Sequence, residues 1–289
     1  MQLKLSEIAA AINGKLIGND ATVNGVSIDT RTLLPGNLYI AIKGKQFDGH
    51  DFVDKAEKAG AEALLVSRTL NSGLPQIVVN DSHLALAELA GYWRRLLPVK
   101  VAGVTGSNGK TTVKEMIAAI FATQGETLFT QGNLNNDIGV PLTLLKLTDH
   151  HRYAVIEMGA NHPGEIAYTS RYAQADVSVI TNIGPAHIEG FGSIAGVANT
   201  KAEIIESLGP DGIAVLNRDD AFFDFWQAEK VGPRKSVSFG FAAYAAVRAE
   251  NINAHLAPQG FNTGFDLVTS NGRIAIRLKL AGEHNVKNA

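Results

Sequence analysis

One stretch limits what this chain can fold into more than any other: Gly103-Val104-Thr105-Gly106-Ser107-Asn108-Gly109-Lys110-Thr111-Thr112. Ahead of it, Val99 to Val104 is apolar and β-branched and reads as a buried strand. Behind it, Val113, Met116, Ile117, Ile120 and Phe121 recur at i, i+3, i+4, i+7 and i+8, the stripe of an amphipathic helix. A strand, a glycine-rich turn and a helix in that order aim successive backbone N–H groups and a helix N-terminus at one point, where an anion belongs. Lys110 then reaches the β- and γ-phosphates of a nucleoside triphosphate, and the Thr111 hydroxyl can ligate Mg²⁺. The spacing departs from the common G-x-x-x-x-G-K-[ST] form, because Val104 stands five residues before Gly109, and Gly106 supplies the turn instead. A structural glycine turn followed by a surface lysine would share these residues; the flanking strand and helix favour the phosphate loop.

The rest of the chain supports an α/β architecture. Residues 1–97 read as a small α/β domain, with strands at Leu38 to Ile42, Ala63 to Val66 and Ile77 to Val79, a short helix from Phe52 to Ala59, and a helix from Ser82 that buries Leu86, Leu89, Trp93 and Leu97. Pro98 ends that helix and marks the boundary. Residues 98–289 form the second domain. Strands at Tyr153 to Met158, Asp176 to Thr181 and Ile213 to Leu216 alternate with helices near Gly164 to Tyr172 and Ile194 to Leu208, and strands near Lys235 to Phe239, Phe265 to Val268 and Arg273 to Leu278 follow. Such alternation predicts a mainly parallel sheet covered on both faces, with ligands at the C-terminal ends of its strands. At 289 residues, 45% hydrophobic and 19% charged, two domains with a sizeable core are expected. No apolar run approaches the ~20 residues of a membrane span, and the N-terminus lacks the pattern of a secretory signal. The absence of cysteine excludes disulfide and thiol chemistry. A net charge of −2 gives no global field to attract nucleic acid.

Several residues past the loop have the types that phosphate chemistry uses. Glu157 ends the apolar strand Ala154-Val155-Ile156, where a metal-binding carboxylate would sit, although a solvated strand-end acid has the same pattern. Thr181-Asn182-Ile183-Gly184-Pro185-Ala186-His187 repeats that geometry, and His187 suits a metal or a phosphate; a lone loop histidine is also often merely exposed. Lys201 falls in the apolar stripe of its helix, so either it snorkels to water or burial and modification alter its charge. The loop Gly132-Asn133-Leu134-Asn135-Asn136-Asp137 suits recognition of sugar or phosphate oxygens, or is an ordinary turn.

Taken together, these stretches resemble the Mur ligases, ATP-dependent amide-forming enzymes of peptidoglycan precursor synthesis. The resemblance runs through Asp29-Thr-Arg31, Asp48-Gly-His50, Thr105 to Thr111, Gly132 to Asn136, Glu157-Met-Gly-Ala-Asn161, Thr181 to His187, Glu189 to Ser193, Thr200-Lys-Ala-Glu203 and Gly282-Glu-His-Asn285, nearly the whole chain. The paired asparagines and the runs at 157–161 and 186–192 favour the branch that adds D-alanyl-D-alanine to UDP-N-acetylmuramoyl-tripeptide over the diaminopimelate- or lysine-adding branch. The resemblance implies that the N-terminal domain holds the UDP end of the muropeptide through Ser27, Asp29, Thr30, Arg31, Lys43, Phe47, Asp48, Gly49 and His50. It implies an ATP site at Thr105, Gly106, Ser107, Asn108, Gly109, Lys110, Thr111 and Thr112 with Asn285, and contacts to muropeptide or nucleotide from Asn133, Asn135 and Asn136. Thr111, Glu157, His187 and Lys201 match Mg²⁺ positions, Lys201 as an N-carbamate, and Lys110, His187 and Lys201 match catalytic positions. Ala202 follows Lys201 where the branch commonly has glycine. The family also carries a third, C-terminal Rossmann-like domain, so the expectation is a truncated, monomeric fragment from a bacterial cytoplasm, with no membrane insertion and no nucleic-acid partner. Another amino-acid ligase of the superfamily and a non-catalytic nucleotide- or muropeptide-binding fragment are the rival expectations.

Overall fold

The computed structural model describes residues 1–257 and 260–289. The chain divides into two compact units, one of Met1–Val99 with Gln131–Arg152, the other of Lys100–Thr130 with Tyr153–Ala289.

In the second unit, nine strands form one sheet among the described residues. Their spatial order is Gly272–Leu278, Gly260–Thr269, Val247–Ala257, Lys235–Gly240, Ile213–Asn217, Val177–Ile180, Lys100–Thr105, Tyr153–Glu157 and Thr127–Phe129. From Val247–Ala257 to Thr127–Phe129 the strands run parallel, and the other two close that edge antiparallel. Strands buried on both faces read as continuous apolar runs, which is why Val101 to Val104 and Ala154 to Ile156 were legible. Pairing sets Glu157 beside Val104 and Ile180 beside Thr105, so the loop emerges at the C-terminal edge of the central strands. Two helices matter most to the site, Lys110–Ala122 and Ile194–Glu206. The strand Val247–Ala257 was not expected. Its apolar and polar residues alternate, but the alternation slips at Asn251, and its ladder is broken between Glu250 and Asn253, where Asn251 takes a left-handed φ of 53°.

The first unit carries a five-stranded sheet in the order Lys15–Ile17, Gln76–Val78, Ala63–Val66, Leu38–Ile40 and Val26–Ser27, with only the first pairing antiparallel. Asp81 starts the helix Ser82–Arg95 by accepting the amides of His83 and Leu84. The domain plan read from sequence ran unbroken from residue 98, whereas Gln131–Arg152 groups with the N-terminal residues. The reason is packing. The helix Gly139–Leu144 buries Val140 and Leu144, lies against Ser82–Arg95, and Trp93 Nε1 donates to the Leu147 carbonyl at 2.9 Å. No helix among the described residues is long and apolar enough to cross a membrane.

Candidate active site

Two glycines give the loop its shape. Gly106 has φ +146°, and a Cβ there would meet Thr181 Oγ1 at 2.0 Å; Gly109 opens the helix Lys110–Ala122 at φ +80°. The neighbouring turn holds the loop from below. Thr181 Oγ1 donates to Asn108 O at 2.6 Å, Asn182 Oδ1 accepts Asn108 N at 3.1 Å, and Asn182 O accepts Ser107 N at 2.9 Å. Lys110 Nζ donates to the carbonyls of Gly106 at 2.7 Å and Ser107 at 3.2 Å, which sets the ammonium inside the loop. Burial lowers the Lys110 pKa, and the charge of Glu157 works against that shift. Thr105 is fully buried and its hydroxyl is bound to Met158 O, so its side chain serves the sheet rather than facing a ligand.

Beside the loop, Thr111 Oγ1 donates to Glu157 Oε2 at 3.0 Å. Glu157 is 2% exposed, and its backbone amide is held by Thr130 Oγ1 at 2.9 Å. A hydroxyl and a carboxylate at the edge of a phosphate loop are the hard oxygen donors that suit Mg²⁺, which takes one or two protein ligands and completes its shell from phosphates and water. The residues present therefore fit the ion. Among the described residues no group of three or more His, Asp or Glu side chains is placed to hold a metal ion, and the expected set includes only two residues of those types, Glu157 and His187. His187 is exposed, has a left-handed φ of 55° at the start of the helix Ile188–Phe191, and lines a cavity of about 500 Å³ with Asn161, His162 and Glu189. Glu157 does not line that cavity.

Lys201 does not snorkel. It is 3% exposed, with Nζ 5.6 Å from the centroid of the Phe191 ring. Burial, and after it the charge of Lys110, pulls its pKa down to about 8 against the opposing pull of Glu165 and Glu203. Glu203 is meanwhile engaged by the amides of Gly164 and Ala167, both at 2.8 Å.

Asn285 Nδ2 donates to Ala281 O at 2.7 Å. Asn288, which sequence reasoning missed, lies against the loop, since a Cβ on Gly109 would come 2.6 Å from Asn288 Oδ1. Also missed were Asp220, whose Oδ2 accepts Ile183 N at 2.7 Å, and Thr130. An acid just past the strand ending at Asn217 was the available signal for Asp220. Thr130 carried none, because its role depends on which strand lies next to it.

The first unit has its own concave site. A cavity of about 830 Å³ is lined by Asp29, Thr30, Arg31, Phe47 and Gly49, among others. Arg31 and Asp29 pair at 2.6 Å, and those hydrogen bonds hold the Asp29 carboxyl down to about 2. Phe47 is 68% exposed at this cavity. Ser27 lines a second cavity of about 500 Å³ that also touches Asp29. Lys43, Asp48 and His50 do not line the larger cavity. Lys43 bridges to Asp48 in the backbone ladder. His50 is buried; its Nε2 accepts Ser67 N at 2.9 Å, which puts the ring proton on Nδ1, donated to Asp48 Oδ1 at 2.5 Å. Asp48 also takes the His50 amide and is held down to about 2, first by that backbone bond. Asp48 and His50 thus brace the loop that presents Phe47. In the asparagine loop, Asn136 Oδ1 accepts Gly139 N at 2.8 Å and caps the next helix, Asn135 N bonds to Asn133 O, and Asn133 is exposed.

The chain aligns with known proteins over its full length. The family description "Mur ligase middle domain" matches residues 104–289, and "Mur ligase family, catalytic domain" matches residues 22–94. The UDP-N-acetylmuramoyl-tripeptide–D-alanyl-D-alanine ligase of Escherichia coli (strain K12) is 48% identical over 290 residues, covering 100% of this chain and 63% of that protein. A crystal structure of MurF from Acinetobacter baumannii superposes with a TM-score of 0.92 at 37% identity, covering 100% of this chain and 63% of that one. The MurF ligase of Thermotoga maritima, solved in complex with ADP, gives 0.82 at 30% identity over 92% of this chain and 61% of its own. The chain therefore spans about 63% of the length of such relatives. With a glycine-rich loop joining a central strand to the helix Lys110–Ala122 and a family match across most of its residues, the chain belongs to the Mur ligase family.

Proposed function

We propose that this chain is the nucleotide- and muropeptide-handling part of a ligase that joins D-alanyl-D-alanine to UDP-N-acetylmuramoyl-tripeptide with ATP, working as a monomer in a bacterial cytoplasm. The observation that carries this reading is the Thr111–Glu157 pair at the mouth of the loop holding Lys110, in a chain similar along its whole length to proteins named for that reaction.

The amides of Gly106 to Thr112 and the helix N-terminus receive the β- and γ-phosphates, and Lys110 neutralises charge as the γ-phosphoryl moves. Thr111 and Glu157 would hold Mg²⁺, and the ion would supply Lewis-acid neutralisation of phosphate charge. The terminal carboxylate of the tripeptide attacks the γ-phosphorus and ADP leaves. The amine of D-alanyl-D-alanine then attacks the acyl phosphate and expels phosphate. The first step brings two anions together, which is why cationic groups concentrate there. With a pKa near 8, Lys201 has an appreciable fraction of neutral amine near neutral pH, the form that takes up CO₂ as a carbamate. As an anion it would no longer oppose Lys110 and would be suited to a second Mg²⁺, with His187. In the first unit, Arg31 suits the diphosphate and the exposed face of Phe47 suits the uracil ring, while Ser27, Asp29 and Thr30 supply polar contacts to the UDP end.

The test is phosphate release from Mg-ATP with UDP-N-acetylmuramoyl-tripeptide, with and without D-alanyl-D-alanine, by this chain joined to the C-terminal part of a full-length relative such as the Escherichia coli ligase. Release that needs both is expected. Binding of all three with no release, or equal stimulation by diaminopimelate, contradicts the assignment.

A further inference from the structure

Lys114 is among the most buried side chains of the molecule, 1% exposed, yet it touches no phosphate position. It sits one turn after Lys110 and three residues after Thr111 on the same helix. Its Nζ donates to Thr130 O at 2.7 Å, lies 2.9 Å from Glu115 Oε1, and stands 5.6 Å from the centroid of the Phe129 ring. Placing an ammonium there is costly unless its bonds achieve something a methionine could not.

The bonds beyond it show what that is. Thr130 is fully buried, its N–H donates to Val155 O at 3.0 Å, and its Oγ1 accepts Glu157 N at 2.9 Å. A closed circuit results: Thr111 and Lys114 leave one helix, the first for the Glu157 carboxylate and the second for Thr130, and Thr130 holds the Glu157 backbone. Thr130 is also the last residue of the second unit before the chain passes to Gln131–Arg152 in the first. Without Lys114, the residue that fixes Glu157 would be tied to the strands but not to the phosphate-loop helix.

We infer that Lys114 is a positioning residue, which through Thr130 sets the Glu157 carboxylate at the spacing from Thr111 that a divalent cation needs beside a bound nucleotide. This rests on the phosphate-loop reading above. Partners one step removed from a metal ligand typically tune affinity ~10–100-fold.

The experiment measures ADP affinity of the full 289-residue chain by calorimetry, with Mg²⁺ and with EDTA, for wild type, Lys114→Met and Thr130→Val. The quantity of interest is the ratio of the two affinities, with thermal melts run alongside. Both variants are expected to lose at least about fivefold of the Mg²⁺ enhancement, to keep EDTA affinity within about twofold, and to be non-additive in the double variant. A lower melting temperature with an unchanged ratio in the variants means that Lys114 only supports the fold, and overturns the inference. If Lys114→Met does not fold, Thr130→Val with an unchanged ratio overturns it by itself. Wild-type chain that binds ADP without any Mg²⁺ enhancement overturns the inference and the metal reading together, whereas enhancement kept by all variants sinks the inference alone.

Discussion

Thr111 and Glu157 meet at 3.0 Å across the gap between the phosphate-loop helix and the neighbouring strand, and the carboxylate of that pair is buried. A buried carboxylate needs hydrogen bonds or a cation to offset its lost hydration. The pair places that demand at the mouth of the loop.

Glu157→Gln keeps the shape of the side chain and removes its charge. Mg²⁺-dependent ADP affinity should fall ~10–100-fold, as for a lost metal ligand or its close partner. Affinity in EDTA should hold or rise slightly, because Lys110 loses an attractive charge nearby. Paired titrations with and without Mg²⁺ check this.

The burial of Lys201 makes stability depend on pH with a definite sign. Its folded pKa of about 8 lies below its ordinary 10.5. Between those values the unfolded chain holds more protons than the native one, so this lysine's contribution improves as pH rises from about 8 to about 10.5 and is least favourable below 8. The full effect is on the order of 3 kcal/mol. Lys201→Met should therefore be more stable than wild type at pH 7, with the difference shrinking toward pH 10, as read by denaturant melts across that range.

Ser178 offers a control away from the chemistry. It is fully buried in the strand Val177–Ile180, and among the described residues its hydroxyl has no hydrogen-bond partner. Ser178→Ala should be neutral or stabilising by about 1 kcal/mol, visible as a slightly higher melting temperature with unchanged ADP binding. A clear loss of stability would point to a partner for that hydroxyl.

In the first unit, His50→Ala strands the Ser67 amide and removes one bond from the Asp48 carboxylate, which keeps the backbone amide of residue 50 and Arg68. A cost of about 2–3 kcal/mol is expected in thermal or denaturant unfolding, with weaker UDP binding although His50 does not line the cavity. Arg31→Ala should do the reverse, with little change in stability and a larger loss of UDP affinity, because its side chain is 86% exposed.

How much of this was legible in the sequence follows from physical range. Strands buried on both faces announce themselves as apolar runs, and the phosphate loop is local in sequence, so the central sheet, the loop and the helix after it could be read directly. Lys201 was ambiguous until its helix was seen with Phe191 against it. His50 matched a motif but is a brace, a distinction that needs Ser67, 17 residues away. Thr130, Lys114 and the excursion Gln131–Arg152 were not legible, since each acquires its role from pairing between segments that are not neighbours in sequence. The strand Val247–Ala257 was missed because its apolar–polar alternation slips phase at Glu250-Asn251, where the ladder is irregular.

The most direct test of the central claim is a calorimetric titration of the chain with ADP and Mg²⁺, wild type against Lys110→Ala. The account predicts Mg²⁺-enhanced binding in the wild type and its loss by about 100-fold or more in the variant, with little change in melting temperature. Equal binding by the two proteins, or none by the wild type, would contradict it.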